Sequence, residues 1–258
     1  MNPSSQLKVD LLPLEQSLGD KRERQRKALQ AREAGLTYVA VFSDEWNANR
    51  PLVEARLTYL AGQCEKRIGA RECELVCPDN SAVRIFLKAN HLLGAGRGWR
   101  AAYGLSQDGV LLAAMTFGAT SAAKGSSPHP WELDRFAVRA DLSIPGAAQR
   151  LFSIFVRDHS PSSIVSYADL RWSEGALYET LGFKLSHTTQ PNYWYFDKAL
   201  PPEQRRRLHR FTFRKSLLPK LLGEKFNPSR TEHENMRDSH YGWAYDCGNL
   251  TFVWSPQT

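Results

Sequence analysis

Cysteine is scarce, four in 258 residues, and no uninterrupted apolar run approaches the roughly 18 residues of a membrane-spanning helix. The first absence argues against a disulfide scaffold and the second against an integral helical membrane protein. The opening stretch, MNPSSQLKVDLLPLEQ, lacks the charged-then-apolar layout of a signal peptide, so a cytoplasmic protein with reduced thiols is expected. No internal repeat and no low-complexity tract interrupts the chain. Acidic residues are outnumbered, 27 against 34 Lys and Arg, for a formal net charge of +7. The length fits one large domain or a modest domain with appendages.

The positive excess is concentrated in two places. Between Lys21 and Arg32 lie six cations, Arg22, Arg24, Arg26 and Lys27 among them, against Glu23 alone. Between Pro201 and Leu222 lie seven, namely Arg205, Arg206, Arg207, Arg210, Arg214, Lys215 and Lys220, against Glu203. Each phosphate neutralised by such a cation releases counterions and adds affinity, and His209, Phe211 and Phe213 are interleaved for base contact. A solvated helix face accounts for either stretch taken singly. Together they point to DNA or another nucleic acid as partner, with no membrane.

Hydrophobic spacing and turn residues divide the chain into an N-terminal part (1–78), a main domain (79–199) and a C-terminal extension (200–258). The first part reads as a basic helix over 20–34 ended by Gly35, a strand at 38–42, a helix over 51–61 and a linker from 62. The main domain reads as a helix at 81–91, a hairpin of 101–105 and 110–117 across Gln107-Asp108-Gly109, and a strand at 132–138. A helix follows from Pro145-Gly146 to His159, then a strand at 164–167, a short helix at 173–181 and a strand at 192–196. In the extension, Thr231 and Glu234 have capping-box spacing, and 241–254 reads as a hairpin turning at Cys247-Gly248-Asn249.

Two motifs carry chemistry. Val138 to Ala148 is a strand entering a helix through small residues, where unpaired N–H groups favour a pyrophosphate. The stretch Ser173-Glu-Gly-Ala-Leu-Tyr178-Glu-Thr-Leu-Gly-Phe183 follows Ser166-Tyr-Ala-Asp169. The element order and these motifs resemble the GCN5-related N-acetyltransferase (GNAT) superfamily over under half the chain. That resemblance implies an α/β fold with a mixed, mostly antiparallel sheet flanked by helices, beside the small N-terminal β/α unit and the ordered C-terminal extension. It also implies acetyl-CoA or another acyl donor. The donor would be held by Ser143, Gly146, Ala147 and Ala148 and by backbone groups at Phe136, Ala137 and Val138. Ser143 stands where the superfamily usually has Gln or Arg. Tyr178 would protonate the leaving thiolate, or else pack as a core aromatic.

The segment Trp131-Glu-Leu-Asp-Arg135, with Ser166-Tyr-Ala-Asp169, is similar to phage Mom-like DNA-modification proteins, which implies functional roles for Arg135, Asp169 and Tyr178. The stretch Asn90-His91-Leu-Leu-Gly94 and the tail resemble phage proteins associated with homing endonucleases. Val39–Phe42 followed by Ser43-Asp44-Glu45-Trp46 resembles the end of a Vsr-like nuclease fold, and with only Asp20, Asp44 and Glu45 at hand to hold Mg²⁺, 1–61 is expected to be a nuclease remnant kept for DNA contact. Cys64, Cys73 and Cys77 lack a close C-x2-C pair, so no metal site is expected and buried free thiols are.

These readings converge on an acyltransferase-like enzyme acting on the N6 amine of adenine in DNA. Asp169 would be the base, Tyr178 the acid, and Arg135 the group that orients a phosphate or acyl carbonyl. His91, before a Gly-rich loop, is a base or substrate ligand, or else a structural histidine. Trp172 or Tyr193 would stack in the gap left by a flipped base. The alternatives are a non-catalytic DNA-recognition module of a mobile-element protein and an N-acetyltransferase of a protein or small-molecule amine.

Overall fold

The computed structural model describes residues 6–17, 20–96, 98–120 and 129–256. In the N-terminal part, strands β1 (Leu7–Leu12) and β2 (Thr37–Phe42) pair in parallel around helix α1 (Glu23–Glu33), and helix α2 (Ser43–Leu60) follows at once, bent at Asn49. The edge strand β3 (Glu74–Val76) and helix α3 (Asn80–Asn90) come next. Then come the hairpin β4 (Ala101–Gln107) and β5 (Val110–Gly118), strand β6 (Trp131–Val138), helix α4 (Ala147–His159) and strand β7 (Ile164–Asp169). Helix α5 (Ala176–Thr180) and strands β8 (Lys184–Thr188) and β9 (Tyr193–Asp197) complete that run. The C-terminal part holds β10 (Leu208–His209), α6 (Leu218–Leu222), α7 (Glu232–Arg237), β11 (Tyr241–Tyr245) and β12 (Asn249–Trp254).

The main sheet has seven strands in the order β3-β4-β5-β6-β7-β12-β8. Every neighbouring pair is antiparallel except β6 and β7. Helices cover both faces because the sequence supplies an apolar stripe for each. On α4, Ala147, Leu151 and Phe155 recur at four-residue spacing and are buried, and Phe155 stacks on Phe117 of β5 with ring centroids 3.5 Å apart. On α3, Val83, Phe86 and Leu87 pack with Ala114 and Ala137. Asp79 caps α3 by accepting the N–H of Ala82 at 2.8 Å.

Several expectations change. Residues 241–254 do not form a hairpin. β11 pairs with β9 in a separate three-stranded sheet, whereas β12 inserts between β7 and β8 of the main one. Gly248 makes the crossing: its φ is +76°, and a Cβ there would lie 2.5 Å from the Thr189 carbonyl. The extension therefore supplies an interior strand, and the division at residue 200 is not a physical seam. The strand expected at 192–196 belongs to the separate sheet, with β10 and β11. β1 and β8 were not anticipated. The stretch read as a linker includes β3, and a parallel bridge joins its Arg67 to Ser143.

Candidate active site

β6 and β7 run in parallel for only two residue pairs, Trp131 with Ile164 and Glu132 with Val165, and then separate. Beyond that point β6 keeps strand pairing with β5 alone among the described residues. The result is a fork between the C-terminal halves of two interior strands, whose facing backbone groups are not paired with each other. Ser166 stands at the fork, its hydroxyl donating to the Leu133 carbonyl at 2.8 Å and lying 3.0 Å from Tyr178 Oη. Tyr178 Oη also donates to the Tyr167 carbonyl at 3.4 Å. Burial holds the Tyr178 phenol above its ordinary pKa, so it stays protonated.

Tyr178 is placed by local geometry as well as by packing. Its ring stacks on Phe252 of β12 at 5.0 Å and meets Phe183 edge-on at 5.6 Å. Gly175 starts α5 at φ +88°, with the Phe252 ring filling the space a Cβ would need. The ring thus packs in the core while the hydroxyl reaches the fork.

Arg135, on β6, bridges Asp134 and the loop after α3. Its Nη1 donates to Asp134 Oδ1 at 3.0 Å, and its Nε donates to the Gly94 carbonyl at 3.2 Å. On the same loop His91 accepts the Leu93 N–H at Nδ1 (3.1 Å). Burial and the nearby charges of Arg135 and Arg56 push the His91 pKa down to about 3. His91 is therefore neutral at pH 7, with its proton on Nε2. With Nδ1 already accepting, the ring presents an N–H at Nε2.

The turn before α4 is partly engaged by protein. Ser143 donates its N–H to the Lys66 carbonyl at 2.9 Å and accepts from the Ile68 N–H at 3.1 Å, so the Ser143 amide is not free to bind a donor. Gly146 adopts φ +81° at the helix start, and Ala147 is buried. The N–H groups of Gly146 and Ala148 have no acceptor among the described residues, so small residues and unused donors coincide there. These features fit a diphosphate-bearing cofactor at Gly146–Ala148 and along Phe136–Val138, and they exclude Ser143 as a backbone donor.

Asp169, expected as the base, is engaged as a counter-ion. Its Oδ2 accepts from Arg171 Nη2 at 2.7 Å and its Oδ1 from the Arg171 N–H at 3.0 Å. Arg171 is 3% exposed and also pairs with Glu45 at 2.8 Å. Glu45 and Asp44 in turn hold Arg207, at 2.7 and 3.0 Å. The guanidinium groups of Arg171 and Arg207 both lie over the Phe42 ring, at 4.9 and 4.3 Å. Asp44 and Glu45, expected as remnants of a nuclease, are thus counter-ions that join the N-terminal part to the C-terminal extension. No group of three His, Cys, Asp or Glu side chains suited to a metal occurs among the described residues.

The same interface absorbs much of the expected DNA-binding set. Arg205 pairs with Glu15, and Arg24 donates to the Tyr245 carbonyl at 2.7 Å while facing Phe42. Trp172 is 7% exposed within an apolar cluster with Val39, Val41 and Val53, so it has no face for a base. The Tyr193 hydroxyl bonds Glu232 at 3.2 Å, and its ring is packed by Tyr195 and His233. Arg22, Arg26 and Lys27 stay at the surface in contacts with Gln190, Asp20 and Glu23. Arg206, Arg210, Arg214 and Lys215 are exposed. The thiols divide: Cys73 and Cys247 are buried, Cys64 is half-buried and Cys77 is exposed. Ser166, Arg171 and Arg56 were missed. The polar Ser166 in an otherwise apolar strand was the only local signal for any of them.

No family model matches the chain, and no curated protein matches it in sequence. Among solved structures it is similar to the ribosomal-protein-S18-alanine N-acetyltransferase of Escherichia coli, with 11% identity and a TM-score of 0.39 over 72% of this chain and 95% of that one. It is similar also to a Bacillus subtilis acetyltransferase in complex with CoA, at 13% identity and TM-score 0.38 over 72% and 99%. A Drosophila melanogaster polyamine N-acetyltransferase gives 12% and 0.37 over 74% and 98%. No helix among the described residues is long and apolar enough to cross a membrane.

Proposed function

We propose that the chain is an acyl-CoA-dependent N-acyltransferase with an acetyltransferase-like fold. The observation that carries the reading is the separation of β6 from β7 over a fork holding the protonated Tyr178 hydroxyl. Acetyl-CoA, when bound, supplies an activated acyl thioester. Gly146 and Ala148 N–H groups would bind its diphosphate, and β6 backbone groups at Phe136–Val138 would orient its acyl carbonyl. Tyr178 Oη holds the proton that the departing group takes up, and Ser166 fixes the position of that hydroxyl. Arg135 orients the acceptor. The test is mass spectrometry of amine acceptors incubated with acetyl-CoA. Tyr178→Phe keeps the ring packing and should cost roughly 10²–10⁴-fold in turnover if the hydroxyl is the acid. Wild-type turnover in the folded variant would return Tyr178 to a packing role.

A second, finer reading makes the acceptor the N6 amine of adenine in DNA. What favours it is the exposed strip of Arg206, Arg210, Arg214 and Lys215, with Phe211 exposed and stacked on His209 at 5.0 Å. Binding of single-stranded DNA that weakens steeply with salt, and less steeply in Arg210→Ala, supports this reading. Salt-independent binding removes it. DNA binding without any acyl-CoA binding would favour a non-catalytic recognition module.

A further inference from the structure

Arg56, on α2 of the N-terminal part, has neither a counter-ion nor a side-chain hydrogen bond among the described residues, whereas Arg150, which also lacks a carboxylate partner, donates to the Cys73 carbonyl at 2.8 Å. Arg56 makes no ion pair with a carboxylate among the described residues, and its one ring contact is Tyr59, with the guanidinium 5.3 Å from the centroid. It is half-buried, and desolvation lowers its pKa, a cost that exposed arginines do not bear. A desolvated cation without an anion is unusual unless a ligand supplies one.

Its neighbours point the same way. Leu92, beside His91, packs on the apolar cluster of Val39, Val41, Val53 and Trp172, to which α2 contributes Val53, so the loop after α3 and the helix that carries Arg56 share that cluster. Arg135 reaches the same loop from the other side through the Gly94 carbonyl. Gly96 of that loop lies against Asp134, whose Oδ2 would be 1.8 Å from a Cβ at position 96. Three donors therefore border one loop: the Arg56 guanidinium, the His91 Nε2–H and Arg135. Nε and Nη1 of Arg135 are committed to Gly94 and Asp134, while Nη2 has no hydrogen-bond partner among the described residues. Asp134 compensates Arg135, so the group keeps the charge of Arg56 uncompensated.

We infer that Arg56, His91 and Arg135 form an oxyanion site that holds a carboxylate or phosphate on the acceptor, so that the amine is delivered to the fork between β6 and β7. The inference rests on the acyltransferase reading and names its substrate class, an amine that also bears an oxyanion. It gives the N-terminal part a role in recognition, since α2 supplies the charge. A planar guanidinium and a ring N–H suit a two-oxygen acceptor such as either group.

The probes are inorganic phosphate and acetate, followed through the ring ¹⁵N signals of His91 in the intact chain, with the other histidines as internal controls. Saturable shifts of His91 Nε2–H by one or both anions are expected. Preference for phosphate or for acetate decides between the two oxyanions. Arg56→Met should weaken the response by about tenfold or more and Arg56→Lys by less, with native circular dichroism in both. Insensitivity of His91 to both anions would overturn the site, as would wild-type affinity in folded Arg56→Met. If saturating CoA displaces the anion, the pocket belongs to the donor's phosphates and the acceptor assignment fails. Anion binding in a protein that binds no acyl-CoA would leave the pocket standing and remove the acyltransferase reading. The reverse result would do the opposite.

Discussion

Asp169→Asn separates a buried counter-ion from a catalytic base. The side chain keeps its shape and one acceptor oxygen but loses the charge facing Arg171 Nη2 at 2.7 Å. Two unit charges about 4 Å apart at an effective dielectric near 20 interact by about 4 kcal/mol, and Asp169 is one of two carboxylates on Arg171. The other, Glu45, also serves Arg207, so it cannot make up the loss. Breaking a buried pair typically costs about 3–5 kcal/mol, and the residual pairing to Glu45 places this variant near the lower end, about 3 kcal/mol. For a chain of this size that corresponds to a fall in Tm of about 6–12 °C by calorimetry. Well below its lowered Tm the variant should turn over within a few-fold of wild type. An unchanged Tm with activity lost by about 10²-fold or more would refute the counter-ion assignment and restore Asp169 as the base.

Gly175→Ala forces a left-handed conformation on a residue with a Cβ and drives that Cβ to 2.2 Å from the buried Phe252 ring. Destabilisation of about 2–5 kcal/mol in urea titration is expected, and a neutral effect would show that Phe252 does not seat Tyr178. His91 has a folded-state pKa of about 3 against an ordinary value of 6.5, so the unfolded chain binds its proton first and stability falls as pH drops below 6.5. Between pH 6.5 and 5.0 this contributes about 1.6 kcal/mol, a loss that His91→Gln should abolish; identical pH dependence in the two proteins would contradict neutral burial.

What the sequence made legible is what short spacing encodes. The apolar stripe of α4, the Asp108-Gly109 turn and the capping pair Thr231 and Glu234 all act within a few residues, and each appears where the pattern placed it. Tyr178 was singled out by another route, the resemblance of the stretch Ser173 to Phe183 to a known superfamily. The partners of the charged residues were not legible, because they lie far apart in the chain. Arg207 reads as one of a basic run until Asp44, 163 residues earlier, is found bonded to it. β12, NLTFVW, reads as a strand in either sheet, and nothing local says that it enters the main one instead of pairing with β11. β8 was missed because it is a sheet-edge strand with four of its five residues exposed, which erases the alternation. Arg56 was passed over for a similar reason: its charge acts on His91, which lies beyond α3 in the chain.

Hydrogen exchange of the intact chain with and without acetyl-CoA tests the central claim most directly. The account predicts saturable binding of one acetyl-CoA per chain, with new protection confined to β6 residues 133–138 and to the α4 start at 146–149. Binding that protects neither segment, or no binding at millimolar acetyl-CoA, would contradict it.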